Sequence, residues 1–279
     1  NKDDLSDHLL KGLDPCGVPK SLKNTTFPFH YNDYDGLCNI IDNCNIGVIK
    51  MEVIRNFPPK NNFLQKVRDL ATKKNIVLIF DECTSGFRET YGGIHNKYKV
   101  NPDMALYGKT IGNGYALTAI VGKKEIMEST QKTFISSTFW TERIGPVAAL
   151  KTLEIMKKIK SWDIITTIGV KFRDKLTKVA KLHDIPITLA GIPSLTSYSF
   201  DSKNNISYKT LITQEMLKKK FLASTTFYAC IEHSDDLLDK YFSELESIFK
   251  LISDCEKNII NVEDLLDGPI CHDGFERLN

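Results

Sequence analysis

Apolar positions along the chain fall into runs whose spacing alternates between the strand period and the helix period. From Ile46 the run IGVIKME reads as a buried strand, and residues 61–74 carry Phe63, Leu64, Val67, Leu70 and Ala71 at helical spacing, with Asn75 placed to end that helix. The next run, IVLIF at residues 76–80, is apolar without alternation, as expected of a central parallel strand covered on both faces. Asp81 and Glu82 stand at its carboxyl end. These segments predict a β-α-β unit. Shorter apolar stretches at residues 104–107, 116–121 and 133–137 extend it into an α/β sheet, whose chemistry belongs at the carboxyl ends of the strands.

Beyond the sheet, helical spacing begins near Gly145 and Pro146, where proline is tolerated in a first turn, and continues through Leu150, Leu153 and Met156. A second helix is predicted from about Asp163 to Leu182, with Ile164, Ile165, Ile168, Phe172, Leu176 and Val179 on one face. The character then changes to short strand-like runs, ITLAG, LTSYSF and TTFYACIE, before Ser234 opens an amphipathic helix through Ile252. The expected division is a large domain over residues 1–157 and a smaller α+β domain over 158–279. There is no internal repeat and no low-complexity tract.

Composition narrows the function without naming it. The chain has 279 residues, and 37 Lys plus Arg against 35 Asp plus Glu leave a formal charge of +2. No global basic field of the kind that holds nucleic acid or anionic lipid follows from that balance. A small substrate is the expectation. No apolar run reaches the roughly 18 residues that span a membrane, and NKDDLSDHLL is too charged for a secretory signal, so the expected location is cytoplasmic. The seven cysteines are odd in number and never spaced C-x-x-C, which predicts reduced thiols and no thiolate metal site.

Two local patterns suggest a nucleotide: IVLIFDE is like the strand and acid that hold magnesium in P-loop ATPases, and YGKT contains a G-K-T. The phosphate loop requires glycine five residues before its second glycine, and position 103 is Asp; the order of the two patterns is also reversed. A pyridoxal phosphate site accounts for the same residues better. There a lysine amine bonds the cofactor aldehyde and an aspartate pairs with the protonated ring nitrogen. Asp81, ending a buried strand, and Lys109, between Gly108 and the Gly112-Asn113-Gly114 turn, supply both parts. A lysine at its ordinary pKa of about 10.4 is a poor nucleophile at neutral pH, so Lys109 is expected to be partly desolvated. Taken singly, Asp81 reads equally well as a turn cap and Lys109 as a solvated loop charge; their order and setting join them.

The segments IFDECTSGFRETYGG (79–93), NPDMALYGKTIGNGYALTAIVGKKEIME (101–128) and SSTFWTERIGPVAALKTLE (136–154) resemble the class III, fold type I pyridoxal phosphate aminotransferases, and among them the glutamate-1-semialdehyde 2,1-aminomutase-like group. Weaker similarity lies upstream at FHYND and VIKMEV and downstream to the C-terminus. The resemblance implies an α/β fold type I large domain with a mostly parallel sheet and a smaller C-terminal α+β domain. It implies pyridoxal 5'-phosphate as cofactor, an amino donor and an oxo acceptor as substrates, and a homodimer with sites at its interface. By it, Asp81 is the partner of the pyridine nitrogen, Lys109 is the lysine that bonds the cofactor and shuttles protons, and Thr138 reaches the cofactor phosphate across the dimer interface. Cys83 stands where the family usually packs Val under the ring. Glu52 and Glu82 match family acids, each as readily a satisfied buried carboxylate as a catalytic one. Arg88 is placed either to hold a substrate carboxylate or to lock its loop, and Trp140 either to reshape the entrance or to pack the dimer contact.

The departures carry expectations of their own. No Gly-rich turn opens a helix before Ile46, and the aromatic that follows it in the family is also absent. The chain is therefore read as lacking the family's N-terminal portion, and the isolated chain is expected to bind cofactor weakly or not at all. FLASTTFYACIEH (221–233) differs from the region where the aminomutases place a substrate-facing Glu, so aminotransfer between two substrates is favoured over intramolecular transfer. The alternatives are an aminomutase of the glutamate-1-semialdehyde type and an inactive truncated homologue.

Overall fold

A computed structural model of the chain describes residues 16–136, 138 and 141–272. The first half builds a four-stranded sheet. Helix α1 (Tyr34–Asn43) is opened by Asp33, whose carboxylate accepts the Gly36 N–H at 2.9 Å, and leads to strand β1 (Val48–Glu52). Helix α2 (Phe63–Lys73) buries Phe63, Leu64, Val67, Leu70 and Ala71, and delivers the chain through Asn75 (φ +53°) into β2 (Val77–Asp81). The short helix α3 (His95–Tyr98) precedes β3 (Met104–Tyr107); β4 (Ala119–Gly122) is followed by the single turn α4 (Lys124–Met127). The strand order is β1-β2-β3-β4, with β1, β2 and β3 parallel and β4 antiparallel to β3.

The predicted β-α-β unit is present, with one correction. Leu78 and Phe80 are fully buried, whereas Val77, Ile79 and Asp81 on the opposite face are half-buried and Val48 beside them is exposed. Helix α2 covers one face of the strand; the run IVLIF reads as buried on both because half-buried positions also carry Val and Ile. Residues 116–121 pair only from Ala119. The predicted strand at 133–137 is not formed: Phe134 and Ile135 are exposed and no ladder includes them, while Ser137 lies outside the described residues.

Asp103, just before β3, ties three elements together. Its carboxylate accepts from the Leu78 N–H at 2.8 Å, from Arg68 of α2 at 2.9 Å and from Lys123 after β4 at 2.8 Å. Burial pushes this carboxyl up, but the hydrogen bonds from Leu78, Lys123 and Arg68 outweigh it and hold it below its ordinary value.

Helix α5 (Ile144–Ile159) starts one residue before Gly145, with Pro146 in its first turn. A single left-handed residue, Lys160 (φ +50°), separates it from α6 (Ser161–Leu182). An antiparallel sheet of β5 (Ile187–Ile192), β6 (Leu195–Phe200) and β7 (Thr226–Tyr228) follows, with helix α7 (Asn205–Lys218) between β6 and β7. Of TTFYACIE only three residues pair. Helix α8 (Asp235–Glu256) opens at Ser234, whose hydroxyl accepts the Leu237 N–H at 3.2 Å. Phe172, Leu176, Tyr208, Ile212, Leu245 and Phe249 form the centre of this half's core, and Phe172 stacks on Phe227 at 4.0 Å.

Gly169 places the α6 backbone directly against the β5–β6 turn: a Cβ there would meet the Pro193 carbonyl oxygen at 2.0 Å. Gly169→Ala is therefore expected to destabilise the protein by about 2 kcal/mol, because overpacking against rigid backbone outweighs the ~1 kcal/mol gained in helix propensity. A rise in urea midpoint would contradict this. Asp103 contributes stability above the ordinary aspartate range, and that contribution is lost as pH falls through its depressed folded value. In Asp103→Asn the acid-side fall in urea midpoint is expected to flatten relative to the parent; an unchanged slope would contradict the role assigned to Asp103.

Candidate active site

The carboxyl ends of the three parallel strands gather Glu52, Asp81, Glu82, Cys83 and Lys109 of the residues singled out in the sequence. Asp81 closes β2, in register with Glu52 at the end of β1 and with Leu106 of β3. Its Oδ1 accepts the Cys83 N–H at 3.2 Å, and its Oδ2 pairs with Lys50 Nζ at 3.0 Å. Burial pushes the Asp81 carboxyl up; the hydrogen bonds from Lys50 and Cys83 and the charge of Lys50 overcome that, and the carboxyl sits below its ordinary value. An ionised carboxylate at this place is the partner a protonated ring nitrogen requires. Its oxygens retain lone-pair capacity beyond the two donors they already have.

Cys83 lies against Gly108, where a Cβ would approach its Sγ to 3.3 Å. Burial raises the thiol's pKa, as do the hydrogen bond and charge of Asp81, against the opposing charges of Lys109 and Lys50. The thiol is neutral and behaves as a small apolar group.

Lys109 begins a 3-10 turn, Lys109–Ile111, directly after β3, with its backbone in the left-handed region at φ +46°. Non-glycine residues seldom adopt that region, and such strain clusters at working sites. Its Nζ donates to Thr84 Oγ1 at 2.7 Å. The expectation of partial desolvation is not met: Lys109 is exposed, because the turn lifts it out of the sheet layer into two adjoining cavities. The larger, of about 1060 Å³, runs along α5 and includes Arg88, Tyr115 and Ile155; the smaller, of about 170 Å³, includes Arg55, Thr84 and Tyr228.

Glu82 is fully buried and holds its loop together: it accepts from Ser85 Oγ at 2.6 Å, from the N–H groups of Ile94 and His95 at 3.0 Å each, and from His95 Nδ1 at 2.9 Å. All of those partners lie on the loop between Ser85 and His95. Arg88 donates from Nε to the Thr84 carbonyl at 2.8 Å and lies over the Tyr228 ring at 5.7 Å; burial lowers its pKa. Between the two roles open to Arg88, this geometry matches the lock on the loop. Glu52 keeps one oxygen on Arg55 at 3.1 Å, while its Oε2 is buried without a partner. Thr138 is exposed, and Trp140 lies outside the described residues.

Lys50, Arg55 and Thr84 belong to this constellation and were not singled out in the sequence. Lys50 had a signal: it is the one charge inside the apolar part of IGVIKME, at a position that shares a sheet face with Glu52. Thr84 and Arg55 had none, since each reaches the site through a loop.

The residues fit a pyridoxal phosphate group. They offer an ionised carboxylate, an accessible amine, a neutral packing side chain between the two, and two buried oxygens, Glu52 Oε2 and Thr110 Oγ1, that no described residue satisfies.

Comparison with known proteins agrees. Residues 56–225 match the family described as aminotransferase class-III. The chain is 34% identical over 236 residues to a 3-aminobutyryl-CoA aminotransferase of Cloacimonas acidaminovorans, covering 79% of this chain and 56% of that protein. It is 27% identical over 257 residues to a glutamate-1-semialdehyde 2,1-aminomutase of Methanococcus maripaludis, covering 84% and 60%. Its fold matches the PLP internal aldimine form of the FumI protein of Sphingopyxis sp. MTA144, with a TM-score of 0.81 at 17% identity over 90% of this chain and 63% of that one. An omega-transaminase from Sphaerobacter thermophilus matches with a TM-score of 0.75 at 20% identity, over 84% and 59%. The chain thus spans between half and two thirds of the length of these proteins. With a family match over more than half its residues and a 34% identical relative, the chain belongs to the class III aminotransferase family.

Proposed function

We propose that the protein is a pyridoxal phosphate-dependent aminotransferase that moves an amino group from an amine or amino-acid donor to an oxo acceptor. The observation that carries this reading is the placement of Asp81 and Lys109 at the carboxyl ends of adjacent parallel strands, with the Asp81 carboxyl held ionised. When bound, the cofactor supplies an aldehyde that condenses with amines and a ring that accommodates negative charge.

The chain's own residues supply the rest. Asp81 holds a proton on the ring nitrogen by charge and hydrogen bonding. Lys109 Nζ takes the proton from the substrate carbon and returns it, oriented by Thr84 Oγ1, its hydrogen-bond acceptor. The neutral Cys83 thiol packs between them, and Arg88 keeps the 84–88 turn closed on Tyr228. The reading includes a cofactor-binding part through residue 157 and a smaller part from 158, supported by separate buried cores centred on Phe80 and on Phe172. It includes a homodimer in which Thr138 contacts the cofactor phosphate of the partner subunit, and a cytoplasmic location. Among the described residues no helix is long and apolar enough to cross a membrane.

Incubation with pyridoxal phosphate followed by borohydride is expected to attach the cofactor to Lys109, read by peptide mass mapping. Reduction is irreversible, so the label accumulates even where equilibrium binding is weak. Lys109→Ala is expected to lose both label and amino transfer; a label spread over surface lysines, or wild-type turnover in Lys109→Ala, would overturn the assignment. Product is also expected to form in step with consumption of an external amino donor. Formation without donor consumption would point instead to the aminomutase.

A further inference from the structure

A second feature of the site concerns how it selects substrate. The smaller cavity beside Lys109 is walled by the loop after β1 on one side and by the β5–β6 turn on the other. Its lining contains the cations Arg55 and Lys109 and no Asp or Glu, alongside hydroxyls that include Thr84 and Tyr228. A recess lined by one sign of charge concentrates the opposite charge in its ligands.

The loop that carries Arg55 is held at both ends and in its middle. The Tyr31 hydroxyl donates to the Val53 carbonyl, and Asn32 donates to the Pro58 carbonyl at 3.1 Å while accepting the Lys60 N–H at 2.9 Å. Between them the Gly191 N–H donates to the Asn56 carbonyl at 2.9 Å. Gly191 sits at φ +82°, and a Cβ there would meet the Leu195 carbonyl oxygen at 2.2 Å, so the turn meets the loop at a fixed place. Arg173 holds the turn itself by donating to the carbonyls of Ala190 and Gly191 at 3.0 and 2.8 Å. Arg55 is thus presented on a fixed backbone, while its side chain remains 64% exposed and open to an incoming ligand.

Arg88, one of two arginines that line the larger cavity with Lys109, has its Nε on the Thr84 carbonyl. Arg55 has one N–H on Glu52 Oε1 and keeps further donors in the fixed fork that matches a carboxylate. The Glu52 contact parks the guanidinium at the rim of the cavity. Thr84 accepts from Lys109 and retains its own hydroxyl proton to donate.

We propose that Arg55, in the cavity it shares with Lys109 and Thr84, holds the carboxylate of the amino-acid substrate, and that Arg88 does not. The proposal rests on the aminotransferase reading for the meaning of the site, but binding of the acid is measurable without cofactor. The cavity of about 170 Å³ suits a carboxylate and a short carbon chain, with the amine directed at Lys109.

The test is a titration of the protein with succinate at constant ionic strength, following the arginine Nε–H signals by NMR, with Arg55 assigned by its loss in Arg55→Lys. The Arg55 signal is expected to shift on binding. Arg55→Gln should weaken the apparent affinity about tenfold, Arg55→Lys should fall between, and Arg88→Lys, which keeps a donor for the Thr84 carbonyl, should stay within about twofold. Equal affinity in Arg55→Gln, or tighter binding of inorganic phosphate than of succinate at Arg55, would overturn the proposal. Arg55→Gln is further expected to keep the borohydride label on Lys109 and to raise KM for amino-acid donors while leaving KM for a neutral amine in place. A missing label in the parent protein would count against the aminotransferase reading alone, since the succinate titration needs no cofactor.

Discussion

The buried carboxyl of Glu82 is the contact on which the rest of the site depends. A carboxyl with no exposure must find hydrogen-bond partners or incur a penalty of several kcal/mol, and Glu82 finds them all on one loop. Closing the segment from Ser85 to His95 onto residue 82 leaves its neighbours no freedom. Asp81 is fixed on one side and Cys83 and Thr84 on the other. Thr84 then receives the Lys109 amine, so the position of Lys109 Nζ is tied to a carboxyl with which it shares no hydrogen bond. The same loop carries Phe87 at φ +62° and Arg88 over Tyr228, which brings it against the second sheet. A strained loop of this kind persists only where its surroundings over-determine it.

The two halves of the chain meet through a second, smaller set of contacts of the same logic. Arg173 from α6 holds the carbonyls of the β5–β6 turn, and that turn hands its Gly191 N–H to the loop after β1. Thr166 of α6 donates to the Arg88 carbonyl at 3.3 Å. Ile192 and Leu195, though in the second sheet, pack into the core of the first half. The two cavities lie along this seam, and Lys109 is common to both. The Lys109 side chain is therefore open to either one.

What could be read in the sequence divides along physical lines. Elements whose burial is periodic were legible: β1, α2, β2, α6 and α8 lie within a few residues of where the apolar spacing puts them, and Ser234 caps α8 as its side chain predicts. Helix α7 was missed although Tyr208, Leu211, Ile212 and Met216 carry the helical spacing, because Ile206, Thr210, Ile212 and Thr213 favour strands and mask it. The strand expected at 133–137 failed for the opposite reason: Phe134 and Ile135 have strand propensity but no ladder to join. At the site, Asp81 and Lys109 were legible because strand ends are predictable. Arg55 and Thr84 were not, since what places them is a hydrogen bond from Gly191 and another from Lys109, neither of which leaves a mark on spacing.

A chain of nearly balanced composition can still present uncompensated positive charge in one place. Over all residues the formal charge is only +2. At the carboxyl ends of the parallel strands, however, Lys50, Arg55 and Lys109 lie beside Asp81 and Glu52, while the third acid there, Glu82, is fully buried on its own loop. The two acids are not free to attract cations from solution, since Asp81 is paired with Lys50 and Glu52 with Arg55. Lys109 alone among the three cations is bonded to a neutral group. Its field is therefore the least compensated, and it lies where both cavities open. Lys109 lines both cavities and Arg55 lines the smaller, so the two cations share one recess along the seam.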